Sequence, residues 1–382
     1  MIDYPARLAA ARRRMAENQV GLMFLVPGAN LFYLTGLARQ EPHPTDTNRW
    51  GDWAAGAYLG LERGPILVVP KLGAGYFEAE VAGKPWFADL RILSESEDPA
   101  EVLRDLLSSF DLRGGRVALD DHAWAQTALA FRRSLPEGEF LLASEIIAPL
   151  RMIKEEAELS LMRRAGQITA EAFERALARL RPGVTELEMN GEVDYQLRRL
   201  GADYPSFVTD VSFTGLPGGA GSPLQRSRRQ LAPGDSVTFD IGCVCQGYCS
   251  DFGRSAFAGD PPAEYLHIHE TVLNAQRAAM AAMVAGQISG AGVNRIARAI
   301  IEEDGYGAFF RHRLGHGIGV TVHEPPWLDV VDETLLQANM TFTVEPSIRI
   351  PGHFGNRVED VVVVGGTGGV PLYDTGRQLY IV

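Results

Sequence analysis

Two aspartates on one predicted β-hairpin constrain the fold more than any other feature of this sequence. Two segments that alternate like β-strands flank a two-residue turn at Gln246-Gly247. With that turn, residue 240 pairs with Gly253, so Asp240 and Asp251 are diagonal neighbours on one face of an antiparallel pair. Carboxylates this close repel each other unless a cation lies between them. The pattern predicts a metal site, and the alternative is a pair of solvated aspartates at the strand ends.

Three histidines follow in and around a glycine-rich segment. His316 lies within GHGIG at 315–319, His312 lies four residues before it and His323 lies seven residues after it. Glycine lets backbone and ligand approach closely, and neutral imidazole is a common nitrogen ligand for transition metals. The cluster indicates contact with a metal or a substrate, while histidines satisfied inside the core remain the alternative.

Two further carboxylates lie near predicted strands at the C-terminal end. Glu345 follows an alternating strand and precedes Pro346, which stops strand pairing. The segment 356–364 is predicted as one strand in which Arg357 and Glu359 share a face. A carboxylate among so many valines needs a partner. For Glu359 that partner is either a metal ion or Arg357.

These side chains together predict a hydrolytic metal site. Four carboxylates carry four negative charges, which two divalent cations neutralise, with bridging carboxylates and a shared water completing the coordination. The residues that would form this site are Asp240, Asp251, Glu345 and Glu359, together with one imidazole from the three histidines.

Composition excludes several classes of function. Lys and Arg total 36 against 48 Asp and Glu, and the net charge of −12 repels phosphate backbones and anionic lipids. We therefore expect neither nucleic acid nor a membrane as a partner. The first fifteen residues lack the apolar stretch of a signal peptide, which predicts a cytoplasmic protein. The three cysteines, all within 243–249, are expected to be small buried residues in or beside strands.

The first half of the sequence alternates between helical and strand patterns, which predicts a mixed sheet with helices. Helical periodicity occurs at 4–17, 99–110 and 124–133, and apolar strand segments occur at 21–26, 65–69 and 116–119. The polar segment 40–56 is predicted as a long loop that reaches a neighbouring molecule.

A change of pattern near Pro149 predicts two domains, 1–148 and 149–382. Long helices are predicted at 155–181 and 185–200, and the second of them opens with a capping box of Thr185 and Glu188. Strands dominate from Val237 onward. A second pair of helices is predicted at 263–285 and 293–304.

The order Asp, Asp, His, Glu, Glu, set in GHGIG, HE, TVEP and RVED, resembles the pita-bread metallopeptidases. These include methionine aminopeptidase, aminopeptidase P, prolidase and the related creatinase. Segment 9–36 looks like the creatinase-type N-terminal domain, and segment 151–154 looks like the usual entry to the catalytic domain. Two such domains point to the aminopeptidase P and prolidase branch. The implied fold is an α/β domain with a creatinase-type mixed sheet, followed by an α+β pita-bread catalytic domain.

The resemblance also implies roles for single residues. The implied metal ligands are Asp240, Asp251, His316, Glu345 and Glu359, of which Asp251 and Glu359 bridge two ions. Glu345 would also shuttle a proton. His323 falls at the substrate-side histidine of the family, and His312 falls at a second histidine that lines the pocket. Arg357 falls at an arginine near the metals, where it would bind a substrate carboxylate or brace the ligands.

The implied activity is hydrolysis of Xaa-Pro bonds in small peptides, by a dipeptidase or an aminopeptidase. A water that bridges two divalent ions, of manganese, cobalt, zinc or iron, would attack the scissile carbonyl. The branch also implies oligomers, and a homodimer is expected.

Two departures from the family leave the substrate open. No histidine occurs from Tyr204 to Asp240, where the family has one, and the usual Asp-x-Thr-Arg-Thr is DFGRS at 251–255. The alternatives are a creatinase-like or ectoine-hydrolase-like enzyme that cuts a C–N bond in a small non-peptide substrate, and a pita-bread binding module without activity.

Overall fold

The computed structural model describes residues 2–39, 51–112, 115–215 and 228–382. The chain divides into two units, Met1–Arg151 and Met152–Val382. The domain boundary predicted at 148/149 falls inside the last helix of the first unit, Ala143–Arg151. Within the described residues we find no helix with the length and apolar character that a bilayer crossing requires.

Helices and strands alternate through the first unit. The helices are α1 (Tyr4–Glu17), α2 (Ala29–Thr35), α3 (Ala74–Ala82), α4 (Pro99–Ser108), α5 (Ala125–Ser134) and α6 (Ala143–Arg151). The strands are β1 (Leu22–Leu25), β2 (Gly56–Gly60), β3 (Ile66–Pro70), β4 (Asp89–Leu93), β5 (Val117–Leu119) and β6 (Phe140–Leu142). They form one sheet in the order β4-β3-β2-β1-β5-β6, in which β1 is antiparallel to β2 and parallel to β5. The predicted mixed sheet is confirmed.

Aromatic side chains fill the core of this unit. Phe24 and Tyr58 pair across β1 and β2, and their ring centroids lie 5.0 Å apart. Phe131 of α5 packs on the same pair, 5.4 Å from Phe24. Of the loop predicted at 40–56, residues 40–50 lie outside the described residues. The rest forms a 3₁₀ turn at Asp52–Ala54 and the first residue of β2.

The second unit combines four helices with several small sheets in the part of the chain described. The helices are α7 (Glu156–Leu177), α8 (Glu186–Arg199), α9 (Ala263–Ala282) and α10 (Gly290–Glu303). The strands are β7 (Tyr204–Pro205), β8 (Asp210–Thr214), β9 (Ser236–Ile241), β10 (Cys243–Cys245), β11 (Tyr248–Cys249), β12 (Phe252–Phe257), β13 (Gly315–Gly317), β14 (Glu324–Leu328), β15 (Thr341–Val344), β16 (Ser347–Ile350), β17 (Phe354–Arg357), β18 (Asp360–Val364), β19 (Gly369–Pro371) and β20 (Tyr380–Ile381). Two sheets matter for the site, in the orders β20-β12-β9-β8 and β14-β13-β15-β18-β19.

The hairpin predicted around Gln246-Gly247 is confirmed. Both turn residues have positive φ, 48° and 84°, as a two-residue type I′ turn requires. The register places Asp240 opposite Gly253, and β9–β12 and β10–β11 continue one antiparallel pairing. The three cysteines are buried and free in β10 and β11, as predicted.

The prediction of one continuous strand at 356–364 is wrong. The chain forms β17 up to Arg357 and β18 from Asp360, with a break between them. The break arises because Glu359 changes partner: its N–H donates to the carbonyl oxygen of Gly253 in β12 at 2.9 Å. One residue thereby links the two sheets.

An aromatic cluster holds α7 beneath the hairpin that carries the two aspartates. The ring of Phe173 lies 5.0 Å from Phe239 on β9, 5.2 Å from Phe252 on β12 and 5.1 Å from Tyr380 on β20. Phe173 is fully buried. The predicted Thr185–Glu188 capping box is present at the start of α8.

We predict that Phe173→Ala lowers the free energy of unfolding by about 3–5 kcal/mol, because it leaves a cavity among three aromatic rings. Urea unfolding followed by circular dichroism measures the change. Glu171→Ala on the exposed face of the same helix is the matched control and should stay within about 0.5 kcal/mol of the parent protein. Equal losses in both variants would contradict the packing role.

Candidate active site

All five predicted metal ligands meet in one place. Ligand oxygens of Asp240, Asp251 and Glu359 lie within 4.8 Å of one another. His316 Nε2 lies 3.6 Å from Asp251 Oδ2 and 3.4 Å from Glu345 Oε1. The fold therefore brings together four carboxylates and one imidazole that are spread over 120 residues of sequence.

Strands and strand ends position each of these side chains. Asp240 lies near the end of β9, and Asp251 lies between β11 and β12. His316 is the central residue of β13, Glu345 follows β15, and Glu359 occupies the break between β17 and β18. These positions belong to the two sheets or to the segments that join their strands, so side chains from both sheets can converge on one point.

The carboxylates are buried without enough positive charge. Burial, with repulsion from the neighbouring carboxylates, raises the pKa of Asp251 and of Glu359 well above their usual ranges. Burial likewise raises the pKa of Glu345 to about 7, although Arg357 opposes the shift. Among the described residues, Asp251 Oδ1 and Glu359 Oε2 are buried and accept no hydrogen bond. Orphaned oxygens in a buried cluster fit a bound divalent cation.

His316 presents a lone pair to the cluster. Its Nδ1 donates to the carbonyl oxygen of Gly317 at 3.0 Å, which leaves Nε2 unprotonated in the neutral ring. Burial, with His323 nearby, lowers the pKa of His316 to about 3, so the ring is neutral near pH 7. A lone pair that faces two carboxylates is unfavourable unless a cation lies between them. The orientation of this ring fits a metal ligand.

Gly315, the residue before His316, allows the neighbouring strands β13 and β15 to approach closely. A Cβ on Gly315 would lie 1.9 Å from the carbonyl oxygen of Thr343. Thr343 also uses its hydroxyl, which accepts from the His316 N–H at 3.0 Å and donates to Glu345 Oε1 at 3.2 Å. The glycine and the threonine together fix two ligands relative to each other.

Arg357 reaches into the cluster from β17. Its guanidinium is hydrogen-bonded to Asp240 Oδ2 and lies 3.5 Å from Glu345 Oε2 and 3.6 Å from Glu359 Oε2. These carboxylates raise the pKa of Arg357 despite its burial. Gly253 makes room for it, since a Cβ there would lie 2.8 Å from Arg357 Cδ. Arg357 braces three carboxylates in this arrangement.

The other two predicted histidines line the same cavity. Its volume is about 620 Å³. The ring of His323 packs against His316 with centroids 4.3 Å apart. His312 donates from Nδ1 to the carbonyl oxygen of Arg313 at 2.6 Å, and its Nε2 is hydrogen-bonded to Ser347 Oγ at 2.5 Å. Burial, with the charge of Arg357, lowers the pKa of His312 to about 3.

Several cavity residues escape prediction from the sequence. They are Phe207, Arg313, Val322 and Asp329. Arg313 directly follows His312 and Val322 directly precedes His323, so their place next to predicted site histidines is the sequence feature that points to them. Phe207 and Asp329 lie outside every motif, so only the fold reveals them.

A buried ion pair holds the segment that carries His323. Lys154 Nζ lies 3.3 Å from Glu324 Oε2, and both side chains are 2% exposed. The other oxygen of Glu324 accepts from the N–H of Thr321 at 3.0 Å. The carbonyl oxygen of Gly319 accepts from Cys249, two residues before Asp251. These contacts tie the loop 319–324 to the aspartate hairpin.

Comparison with known proteins now identifies the chain's relatives. Residues 160–365 match the model of metallopeptidase family M24, and residues 7–153 match the creatinase/prolidase N-terminal domain. The chain is a metallopeptidase of family M24. This M24 metallopeptidase has the predicted fold class, an α/β creatinase-type domain followed by a pita-bread catalytic domain, which is thus confirmed.

Curated relatives cover nearly the whole M24 chain. An Xaa-Pro dipeptidase from Pyrococcus horikoshii is 36% identical over 380 residues, 96% of this chain and 96% of that protein. An Xaa-Pro dipeptidase from Pyrococcus furiosus is 35% identical over 379 residues, 98% of this chain and 99% of that protein.

Solved structures agree with this assignment. A prolidase from Thermococcus sibiricus superposes with a TM-score of 0.90 at 28% identity and covers 100% of both chains. An X-Pro aminopeptidase from Thermotoga maritima superposes with a TM-score of 0.77 at 26% identity, covering 97% of this chain and 100% of that one. Membership of the M24 family implies divalent metal ions, which the carboxylate cluster fits.

We predict that Asp251→Asn and Glu359→Gln each lower the amount of bound divalent metal and abolish hydrolysis, because each removes a buried anionic ligand. Metal analysis of the purified variants measures the first effect, and turnover measures the second. Asp329→Asn, on the cavity wall outside the cluster, is the matched control and should keep the parent metal content. Full metal content and turnover in either ligand variant would show that the cluster is not the metal site.

Proposed function

We propose that this metallopeptidase hydrolyses Xaa-Pro bonds in small peptides. The observation that carries the proposal is that the four carboxylates and one imidazole predicted as metal ligands lie together and line one cavity. The Pyrococcus relatives at 35–36% identity are named Xaa-Pro dipeptidases, which supports the same activity here. A binding module without activity has no need for an intact ligand set.

The proposed cofactor is a pair of divalent ions, which Asp240, Asp251, His316, Glu345 and Glu359 would hold. Mixed oxygen and nitrogen donors suit manganese, cobalt, zinc and iron. When bound, such ions would acidify a water and polarise the scissile carbonyl.

The protein's own groups would orient the substrate and move protons. We propose that Glu345 takes and returns a proton, since its carboxylate lines the cavity and is oriented by Thr343. His323 would stabilise the oxygen of the tetrahedral intermediate, because it lines the cavity beside His316. His312 also lines the cavity, where its hydrogen bond to Ser347 fixes the ring, and it would help to position the substrate. The homodimer, expected from the family resemblance, and the cytoplasmic location, expected from the first fifteen residues, stay predictions.

We expect the manganese-reconstituted protein to hydrolyse Xaa-Pro dipeptides and to lose that activity after treatment with a chelator. The assay compares dipeptides, longer Xaa-Pro peptides, creatine and ectoine. Turnover of creatine or ectoine alone would instead indicate a C–N hydrolase for a small non-peptide substrate. No turnover and no stoichiometric metal would indicate a binding module.

His323→Ala should lower kcat by about 10²–10⁴-fold while metal content stays unchanged, because we assign this ring to the substrate and not to the metal. Steady-state kinetics and metal analysis on the same preparation measure the two effects. The exposed His353, which pairs with Glu264, provides the control variant His353→Ala. Loss of a metal ion from His323→Ala would overturn its assignment to the substrate side.

A further inference from the structure

We propose that Arg313, stacked on Trp327, binds the C-terminal carboxylate of the substrate and thereby selects dipeptides. This inference deepens the proposed Xaa-Pro activity and rests on it. Arg313 lines the cavity, and its guanidinium carbon lies over the Trp327 ring, 4.4 Å from the ring centroid. Contact with an aromatic ring holds a guanidinium in place without using its N–H donors.

The charge of Arg313 is available to a ligand. Within the described part of the chain, its side chain has no carboxylate within 4.0 Å and makes no hydrogen bond. The other arginine that lines the cavity, Arg357, is engaged with Asp240, Glu345 and Glu359. Asp329, the wall carboxylate outside the cluster, instead accepts the N–H groups of Val331 and Asp332, each at 2.8 Å. Arg313 is therefore the cavity arginine that lacks an anionic partner among these residues.

The position of Arg313 suits a carboxylate close to the scissile bond. Trp327 on β14 pairs directly with His316 on β13, and their rings lie 6.5 Å apart. The same indole ring thus contacts the guanidinium of Arg313 and neighbours the His316 ring, which places Arg313 on the cavity wall beside the cluster. An extended residue spans about 3.3–3.6 Å, so one residue beyond the scissile carbonyl brings a terminal carboxylate to this wall. In a longer peptide the same position holds a neutral amide.

Chemistry favours a carboxylate as the group bound there. A guanidinium offers paired N–H donors in one plane, which match the two oxygens of a carboxylate. A C-terminal amide offers one acceptor and no charge. A site built this way discriminates a dipeptide from its amide and from a longer peptide, which is the difference between a dipeptidase and an aminopeptidase.

The test compares Ala-Pro with its C-terminal amide in the metal-reconstituted enzyme. Arg313→Gln should lower kcat/KM for the free acid by about 10- to 100-fold, mainly through KM, and for the amide by less than about threefold. Arg311→Gln, an exposed arginine two residues away, is the matched control and should change neither. Trp327→Leu should weaken the same preference, because it removes the ring that holds Arg313.

Arg357→Lys separates the two cavity arginines. If Arg357 braces the ligands, this variant lowers turnover of the acid and of the amide alike. Selective loss on the acid in Arg357→Lys, with none in Arg313→Gln, would overturn the proposal and assign the carboxylate to Arg357. Equal losses on both substrates in Arg313→Gln would overturn it as well.

A binding measurement keeps the inference independent of turnover. Calorimetry should show that the parent protein binds proline at least tenfold more tightly than prolinamide, and that Arg313→Gln loses this preference while Arg311→Gln keeps it. If the parent protein hydrolyses neither peptide but shows the preference, the Xaa-Pro activity fails and the carboxylate site stands. If it binds both equally or neither, the carboxylate site is wrong.

Discussion

Repulsion among buried carboxylates is the constraint on which the rest of this structure depends. Four acidic side chains converge where water screens them only weakly, and in the described part of the chain Arg357 is the arginine that pairs with them within 4.0 Å. The raised pKa values of Asp251 and Glu359 express the remaining imbalance. Divalent cations held by these residues would remove it, so the unbalanced negative charge of the cluster and its capacity for metal are the same property.

A second buried network holds the backbone beside the clustered carboxylates against this repulsion. Arg254 donates to the carbonyl oxygen of Glu359 at 2.6 Å and to Asp360 Oδ1 at 2.8 Å. Gln276 donates from one amide nitrogen toward the carbonyl oxygens of Val344 at 3.1 Å and Val358 at 3.3 Å. These carbonyls directly precede Glu345 and Glu359. Gln276 of α9 thus fixes the backbone next to two carboxylates of the cluster.

The two arginines that line the cavity, Arg357 and Arg313, differ in their surroundings. Arg357 lies inside the cluster and is paired with its carboxylates, whereas Arg313 lies on the cavity wall against the Trp327 ring. Arg357 stabilises carboxylates of the protein. Arg313 keeps its N–H donors for the carboxylate that we propose the substrate brings.

The sequence by itself determined the hairpin register, and it picked out the five side chains, proposed as metal ligands, that the fold brings together. A two-residue turn dictates which residues face each other, and that information lies within eighteen residues, from Ser236 to Gly253. Periodicity likewise located α1, α7 and α8, because helical patterns are local. Only the tertiary structure decided the break at Glu359, the clearance at Gly253 for Arg357, the Lys154–Glu324 pair and the position of Arg313 on Trp327. Each of these depends on contact between strands or segments that local periodicity cannot relate, since close packing and buried charge are properties of the assembled fold.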